Sequence, residues 1–320
     1  MPMRARPWRI WAEIGFLIVC LAAGWVVSEL FAPRPIIGVT RFEGLIVPES
    51  AQQMWQILEH ARQDRRVAGV VMEISSFGGD AASSEKLYYA MLRLRQEKPL
   101  VVVIDGEATS GGYYMAIAAN RIYAPAASAV GNVGVWMSRP GDPMILPDIL
   151  STGPYKLGGG SRFDNIRQLE LVKESFVKTV VHEREQSPYR PLQIDGRTLG
   201  EGHIYLGNEA LALGLVDSLG GVSDAIPDAA ALAGITAYEV RDLEEYLGLP
   251  FEPADPFMAG PRLVQGGLTG RVLMLDSRLT YLASVPPGSD RKYGQGWPAI
   301  PGRSSTADLF PGASANGGQP

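Results

Sequence analysis

The sequence predicts an α/β fold, because apolar runs of strand length alternate with stretches that favour helices. Residues 67–75 and 100–104 are apolar runs rich in β-branched residues, which is typical of buried strands. Each run leads through a glycine-containing turn into a predicted helix. This alternation favours a layered domain in which helices pack on a sheet.

Residues 1–33 are predicted to form a short cytoplasmic N-terminus and a membrane anchor. Three arginines among the first nine residues precede an uncharged run over 14–28, with tryptophans towards its ends. This pattern predicts a single pass through the inner or plasma membrane, with the rest of the chain on the extracytoplasmic side. Cleavage after Ala22-Ala23 is an alternative, but apolar residues and Trp25 continue past that point, which favours an uncleaved anchor.

Residues 34–247 are predicted to be the folded domain. Asp80 is predicted to cap the helix that follows the second strand. The predicted strands lie at 36–39, 67–75 and 100–104, with short pieces at 121–124 and 131–136. The predicted helices lie at 49–66, after 79, and at 113–119, 165–184, 209–213 and 223–233.

The helix predicted over 165–184 is amphipathic. We expect its apolar stripe to face the core rather than a ligand. The stripe consists of Ile166, Leu169, Val172, Phe176, Val180 and Val181.

Residues 248–320 are predicted to be a largely flexible C-terminal extension. Proline and glycine become frequent, and residues 290–320 contain little that could be buried. The exception is residues 271–285, which keep enough apolar side chains to dock, and we expect them to dock on their own domain.

Composition excludes several classes of function. The 320-residue chain has a net charge of −5, so it lacks the basic field that binding to nucleic acid requires. Its single cysteine, Cys20, cannot form an internal disulfide, and its three histidines lack the spacing of metal ligands. We therefore expect no nucleic-acid partner, no metal and no cofactor.

Ser110 is a candidate nucleophile. It lies between small residues, where the strand at 100–104 and its turn lead into a helix. Unpaired backbone N–H groups and the helix dipole favour negative charge at such a junction, and acyl transfer develops negative charge. The simpler interpretation is that Ser110 only caps the helix.

Two glycine pairs are candidate components of an oxyanion hole. Gly78-Gly79 and Gly111-Gly112 each follow a buried strand and open a helix. Neighbouring strands would bring both sets of backbone N–H groups to one edge of the sheet. Such pairs are more often a consequence of packing or turn geometry than of catalysis.

Lys156 is a candidate general base for the serine. With three scattered histidines, a lysine held in its neutral form is a credible proton acceptor, and serine–lysine pairs are an established variant of the catalytic triad. By its sequence context alone, a lysine in a Gly-Pro loop is more often a solvated charge.

Several motifs in order resemble signal peptide peptidase A, a family of membrane-anchored bacterial serine proteases (peptidase family S49), in its short, single-domain type. The resemblance covers about residues 36–235. The motifs are Ser76-Phe77-Gly78-Gly79, Ala108-Thr109-Ser110-Gly111-Gly112-Tyr113-Tyr114, Gly131-Asn132-Val133-Gly134-Val135, Gly153-Pro154-Tyr155-Lys156 and Ala210-Leu211-Ala212-Leu213-Gly214-Leu215-Val216-Asp217.

The resemblance implies a Clp protease/crotonase-like fold of stacked ββα units. It implies that Ser110 is the nucleophile, that Lys156 is the base, and that N–H groups of Gly111 and of Gly78 or Gly79 bind the oxyanion. It further implies peptide substrates, contact with membrane lipid, and a ring-like homo-oligomer in which neighbouring protomers supply the serine and the lysine of one site.

Three positions depart from the family pattern. Phe77 stands where proline is usual, Asn132 where serine is usual, and Leu157 where an acidic residue is usual. These departures leave open a catalytically silent member that binds peptides or scaffolds a membrane complex. An acyl-CoA enzyme of the crotonase type is disfavoured, because the predicted export direction separates the domain from cytoplasmic CoA.

Overall fold

A computed structural model describes residues 7–31, 33–138, 150, 152–153, 156, 160–255 and 271–276. All of them belong to the first of two compact units, Met1–Ser284 and Val285–Pro320. The predicted anchor is helix α1, Pro7–Phe31. Within the described residues, no helix combines the length and the apolar character that crossing a membrane requires.

The main sheet is mixed, and parallel pairs predominate in it. Its strands are β1 (Ile36–Glu43), β2 (Val67–Ser76), β4 (Leu100–Thr109), β5 (Arg121–Ala124), β6 (Ala129–Gly131), β7 (Ile204–Leu206), β8 (Ser218–Leu219) and β9 (Glu239–Asp242). The order is β7-β6-β4-β2-β1-β9; β5 pairs with β4 and β8, and only the β6–β7 pair among these strands is antiparallel. A separate two-stranded sheet joins β3 (Gly78–Asp80) to β10 (Leu273–Leu275).

Helices cover both faces of the main sheet. They are α2 (Pro48–Gln63), α3 (Ala81–Glu97), α4 (Gly111–Ala116), α5 (Arg162–Glu185), α6 (Gly196–Leu199), α7 (Gly207–Ala212), α8 (Val222–Leu232) and α9 (Leu243–Leu247). Alternate strand residues point to opposite faces, so Val102 joins the large core under α2 to α5 while Val101 and Val103 pack against α8. The α/β class predicted from the sequence is confirmed.

Three details differ from the prediction. Residues 131–136 do not form a continuous strand: β6 ends at Gly131, because Asn132 adopts a φ of +55° that a strand cannot hold. In α5 the predicted stripe is buried at Phe176 and Val180, whereas Ile166 is 46% exposed. The helix after Ser110 begins at Gly111 and ends at Ala116, earlier than predicted at both ends.

Two local predictions are confirmed. The Asp80 carboxylate accepts a hydrogen bond from the Ser83 N–H group and so caps α3. Residues 271–276, the described part of the 271–285 segment, dock on their own domain through the pairing of β10 with β3. Most of the predicted C-terminal extension lies outside the described residues.

A buried ion pair joins α5 to the segment after α7. The Arg184 guanidinium contacts the Asp217 carboxylate at 2.6 Å and donates a second hydrogen bond to the Gly214 carbonyl. Asp217 also accepts from the Ile122 N–H and the Ser187 hydroxyl. Burial opposes the charged form of Arg184, but pairing with Asp217 outweighs it and raises the pKa of the guanidinium above its ordinary value.

Candidate active site

Ser110 lies in a strained backbone conformation where β4 turns into α4. Its φ of +54° and ψ of −118° are rare for a residue with a side chain. The turn is held on both sides: the Ser110 N–H donates to the Gly131 carbonyl at 2.8 Å, and the Ser110 carbonyl accepts from the Tyr114 N–H at 2.9 Å. Strain that the surroundings enforce in this way is typical of functional sites.

The Ser110 hydroxyl is buried and unpaired. The residue is 1% exposed, and no group in the described part of the chain hydrogen-bonds to its Oγ atom. It makes no capping bond to α4, so the capping interpretation fails. An unpaired buried hydroxyl costs about 1–3 kcal/mol, which is the kind of cost a reactive side chain carries.

The structure brings the two glycine pairs together beside Ser110. Gly78 has a φ of +89°, and a Cβ atom built on it would lie 2.6 Å from the Gly111 nitrogen and would overlap the Met274 carbonyl oxygen. The Gly78 N–H is held by the Ser76 hydroxyl at 3.1 Å. The Gly79 N–H lies in the β3–β10 ladder opposite Met274, so Gly79 and Gly111 are the groups of this cluster that can bind a substrate oxygen in the place of the Met274 carbonyl.

Gly78→Ala is expected to lower kcat/KM by about 10²-fold or more, the value of one oxyanion-hole donor. The added methyl group would push β3 away from Gly111 and would also force a side chain into a positive-φ conformation. Kinetics on a fluorogenic peptide measure the effect, and Gly106→Ala is the control. Gly106 also has a positive φ, but a Cβ there would meet nothing within 4 Å. Equal losses in both variants would contradict this role for Gly78.

Lys156 is exposed and does not hydrogen-bond to Ser110 within the single chain. Its neighbours at 154–155 and 157–159 lie outside the described residues, so Leu157 does as well. The structure therefore brings together Ser110, Gly78, Gly79 and Gly111 of the predicted site residues, and it leaves Lys156 apart.

Asn132 and Phe77, two of the three residues that depart from the family pattern, have structural roles. Asn132 donates from its side-chain amide to the Gly202 carbonyl at 2.8 Å, which ties the loop after β6 to the loop before β7. Phe77 packs against a small apolar cluster formed by Leu45, Leu273 and Leu275. Phe77, which stands where proline is usual in the family, thus contacts β10.

Sequence reasoning missed the residues that line the candidate substrate cleft, which is a cavity beside β3. A cavity of about 660 Å³ lies beside β3, with Ala81, Tyr114, Leu171, Val172, Val272 and Met274 in its wall. Burial raises the pKa of Tyr114 to about 12, so its phenol stays neutral at physiological pH. The helical periodicity of α5 could have identified Val172 as a lining residue. No local sequence pattern identified Met274.

The sequence of this chain is similar to a peptidase family and to several of its members. Residues 93–141, which include Ser110, match the profile of Peptidase family S49. The chain is 31% identical over 218 residues to "Putative protease MJ0651" of Methanocaldococcus jannaschii, covering 63% of this chain and 68% of that protein. It is 30% identical over 234 residues to Protease 4 of Salmonella typhi, covering 68% of this chain and 36% of that protein.

Among solved structures, the 1510-N membrane-bound stomatin-specific protease matches with a TM-score of 0.45 at 15% identity. The match covers 66% of this chain and 98% of that one. The chain thus spans about two thirds of the archaeal relative's length and about a third of the Salmonella relative's length.

Proposed function

Because the chain belongs to peptidase family S49 and is a serine peptidase, we propose that it is a membrane-anchored endopeptidase of the signal peptide peptidase A type. Its substrates are cleaved signal peptides or other apolar peptides on the extracytoplasmic side. Ser110 and Lys156 form the catalytic dyad. The observation that carries the proposal is the strained, buried and unpaired Ser110 hydroxyl beside Gly78 and Gly111.

The mechanism follows from the residues around Ser110. The Ser110 Oγ attacks the scissile carbonyl carbon, and the Lys156 amine accepts the hydroxyl proton. The N–H groups of Gly79 and Gly111 stabilise the oxyanion. Lys156 then delivers the proton to the leaving amine, and water hydrolyses the acyl-enzyme.

The proposed apolar substrates are supported by the lining of the cleft. The wall of the cavity beside β3 consists mainly of aliphatic and aromatic side chains, and its polar members are Asp80, Glu85, Ser175 and Arg271. Apolar side chains of a peptide gain by leaving water for such a wall, at about 25 cal/mol per Å² of buried surface.

The proposed anchor is supported by the exposure of α1. Its described apolar side chains lie on all sides of the helix and are exposed: Trp11, Ile14, Phe16, Leu17, Ile18, Val19 and Leu21. A helix that is apolar on every side gains by burial in lipid or in another protein. We place the helix in the inner or plasma membrane with its N-terminus in the cytoplasm.

The proposed ring-like homo-oligomer is supported by the separation of Ser110 from Lys156 and by an exposed apolar surface on α5. The Ser110 hydroxyl has no hydrogen-bond partner among the described residues, and Lys156 is exposed. The first half of α5 exposes Phe163 to 84%, together with Ile166 and Leu171. Burying this surface against a neighbouring protomer would bring two chains together, as a site shared between them requires.

Lys156→Ala is expected to lower kcat by about 10²–10⁴-fold, the usual contribution of a general base. Peptide hydrolysis by the membrane-extracted protein measures it. Lys178→Ala is the matched control, because Lys178 is an exposed lysine that pairs with Glu174 on the surface of α5. Wild-type rates in the Lys156 variant would exclude it as the base.

Mixing the two inactive variants tests the shared site. Protomers carrying Ser110→Ala retain Lys156, and protomers carrying Lys156→Ala retain Ser110. If neighbouring chains complete each site, co-assembled mixtures recover activity that neither variant has alone. Activity that stays at the level of the separate variants would show that each chain supplies its own dyad.

A further inference from the structure

We propose that this protein cleaves its own chain: residues 271–276 occupy the substrate cleft as an extended strand, and Ser110 hydrolyses the Met274–Leu275 peptide bond. The proposal rests on the proposed peptidase function and adds a specific substrate, an internal segment with apolar residues on both sides of the reacting bond. The observation behind it is that the backbone of this segment lies against the glycines beside the nucleophile.

The segment is held by backbone hydrogen bonds on both edges. On one edge, β10 pairs antiparallel with β3, and Met274 lies opposite Gly79. On the other edge, Leu273 and Trp136 exchange two hydrogen bonds, of 2.8 and 3.0 Å. A peptide bound as an added strand between two edges is a common mode of peptide recognition.

The register places the Met274 carbonyl at the proposed oxyanion hole. The Asp276 N–H donates to the Phe77 carbonyl at 2.9 Å, and the Ala81 N–H donates to the Val272 carbonyl at 3.1 Å. Because hydrogen-bonded pairs recur at every second residue of an antiparallel ladder, Met274 and Gly79 form the pair between them.

The same carbonyl oxygen reaches the second glycine pair. A Cβ atom built on Gly111 would lie 3.0 Å from the Met274 oxygen, and one built on Gly78 would overlap it. The Met274 carbonyl oxygen therefore lies against both Gly78 of β3 and Gly111 of α4, the residue that follows Ser110. This is the position that the scissile carbonyl of a substrate must take.

The side chains of the segment alternate as those of a bound substrate would. Val272 and Met274 point into the cavity beside Tyr114. Leu273 and Leu275 point the other way, and Phe77 and Trp136 pack against them. The Trp136 indole N–H also donates to the Leu275 carbonyl at 2.8 Å, so the residue after the reacting bond is positioned as well.

Polar contacts fix both ends of the segment. Arg271 lies 3.7 Å from the Asp80 carboxylate, at the end of β3. The Thr109 hydroxyl, one residue before the nucleophile, donates to the Asp276 carboxylate at 3.3 Å. Contacts at both ends hold the intervening bond in one register.

The cleavage step is an ordinary hydrolysis. The Ser110 Oγ bonds to the Met274 carbonyl carbon while Lys156 takes the Ser110 proton, and the bond to the Leu275 nitrogen breaks as that nitrogen receives the proton. Water then cleaves the Ser110 ester. The products are a chain that ends in a Met274 carboxylate and a fragment that begins with the Leu275 amine, residues 275–320.

Intact-mass spectrometry of the purified full-length chain tests the proposal, together with fluorophosphonate labelling of the same samples. We expect wild-type protein to lose residues 275–320 on incubation and the Ser110→Ala variant to stay intact. Met274→Arg is expected to slow the cut at least tenfold, because a charged side chain opposes entry into the apolar cavity. Met274→Leu keeps an apolar side chain and is expected to be cut like the wild type.

The outcomes that overturn the proposal are distinct from failure of the peptidase function. A wild-type chain that labels with the fluorophosphonate but stays intact is an active peptidase that does not cut itself, which overturns only this inference. A cut that persists in Ser110→Ala, or one at another bond, also overturns it. A wild-type chain that neither labels nor cleaves a peptide overturns the peptidase function and this inference together.

Discussion

Ser110→Ala is expected to abolish peptidase activity, with a loss in kcat on the order of 10⁵-fold or more. The hydroxyl is the only part of the residue removed, and the glycine N–H groups that surround it stay in place. Residual hydrolysis would come from substrate binding and the oxyanion hole alone. Kinetics on an apolar fluorogenic peptide measure the loss.

The same variant is expected to keep or raise the free energy of unfolding. The Ser110 Oγ atom is buried without a partner within the described chain, so removing it takes away a cost of about 1–3 kcal/mol. Ser128→Ala is the matched control, because Ser128 is a buried serine that donates to the Ile104 carbonyl. It should retain activity and lose about 1 kcal/mol of stability. Full activity in Ser110→Ala would contradict the assignment of the nucleophile.

Asp217→Asn is expected to destabilise the fold by about 3–5 kcal/mol, because it leaves the Arg184 guanidinium buried without its counter-charge. Asparagine keeps the size of the side chain, so the effect reports the lost charge and not a cavity. Urea denaturation followed by circular dichroism measures the change in the free energy of unfolding.

A surface ion pair provides the comparison for Asp217. Glu174→Gln removes the charge partner of Lys178 where both side chains are more than half exposed, and such pairs contribute about 0–1 kcal/mol. A loss in Asp217→Asn no larger than that in Glu174→Gln would show that the Arg184–Asp217 pair does not hold α5 to the segment after α7.

Features encoded over a few neighbouring residues could be predicted from the sequence. The β-branched run at 100–104 became the first half of β4, and Asp80 became the cap of α3, because strand preference and capping depend on local chemistry. The position of Ser110 at a strand-to-helix turn followed from the same kind of signal. Its strained φ did not, since that depends on hydrogen bonds to Gly131 and Tyr114.

Features that depend on distant contacts could not be predicted. Met274 lies beside Gly111 across more than 160 residues of chain, and no periodicity links the two. The exposure of Ile166 depends on what packs against the first half of α5, which the apolar stripe alone does not specify. The pairing of Lys156 depends on tertiary or quaternary structure, so it remains a prediction from the family resemblance.

The most direct test of Ser110 as the nucleophile is to map the fluorophosphonate adduct on the purified full-length protein by mass spectrometry. We expect a single adduct on the peptide that contains Ser110, and its complete loss in Ser110→Ala. An adduct on another serine, or labelling that survives in Ser110→Ala, would contradict the claim that Ser110 is the nucleophile.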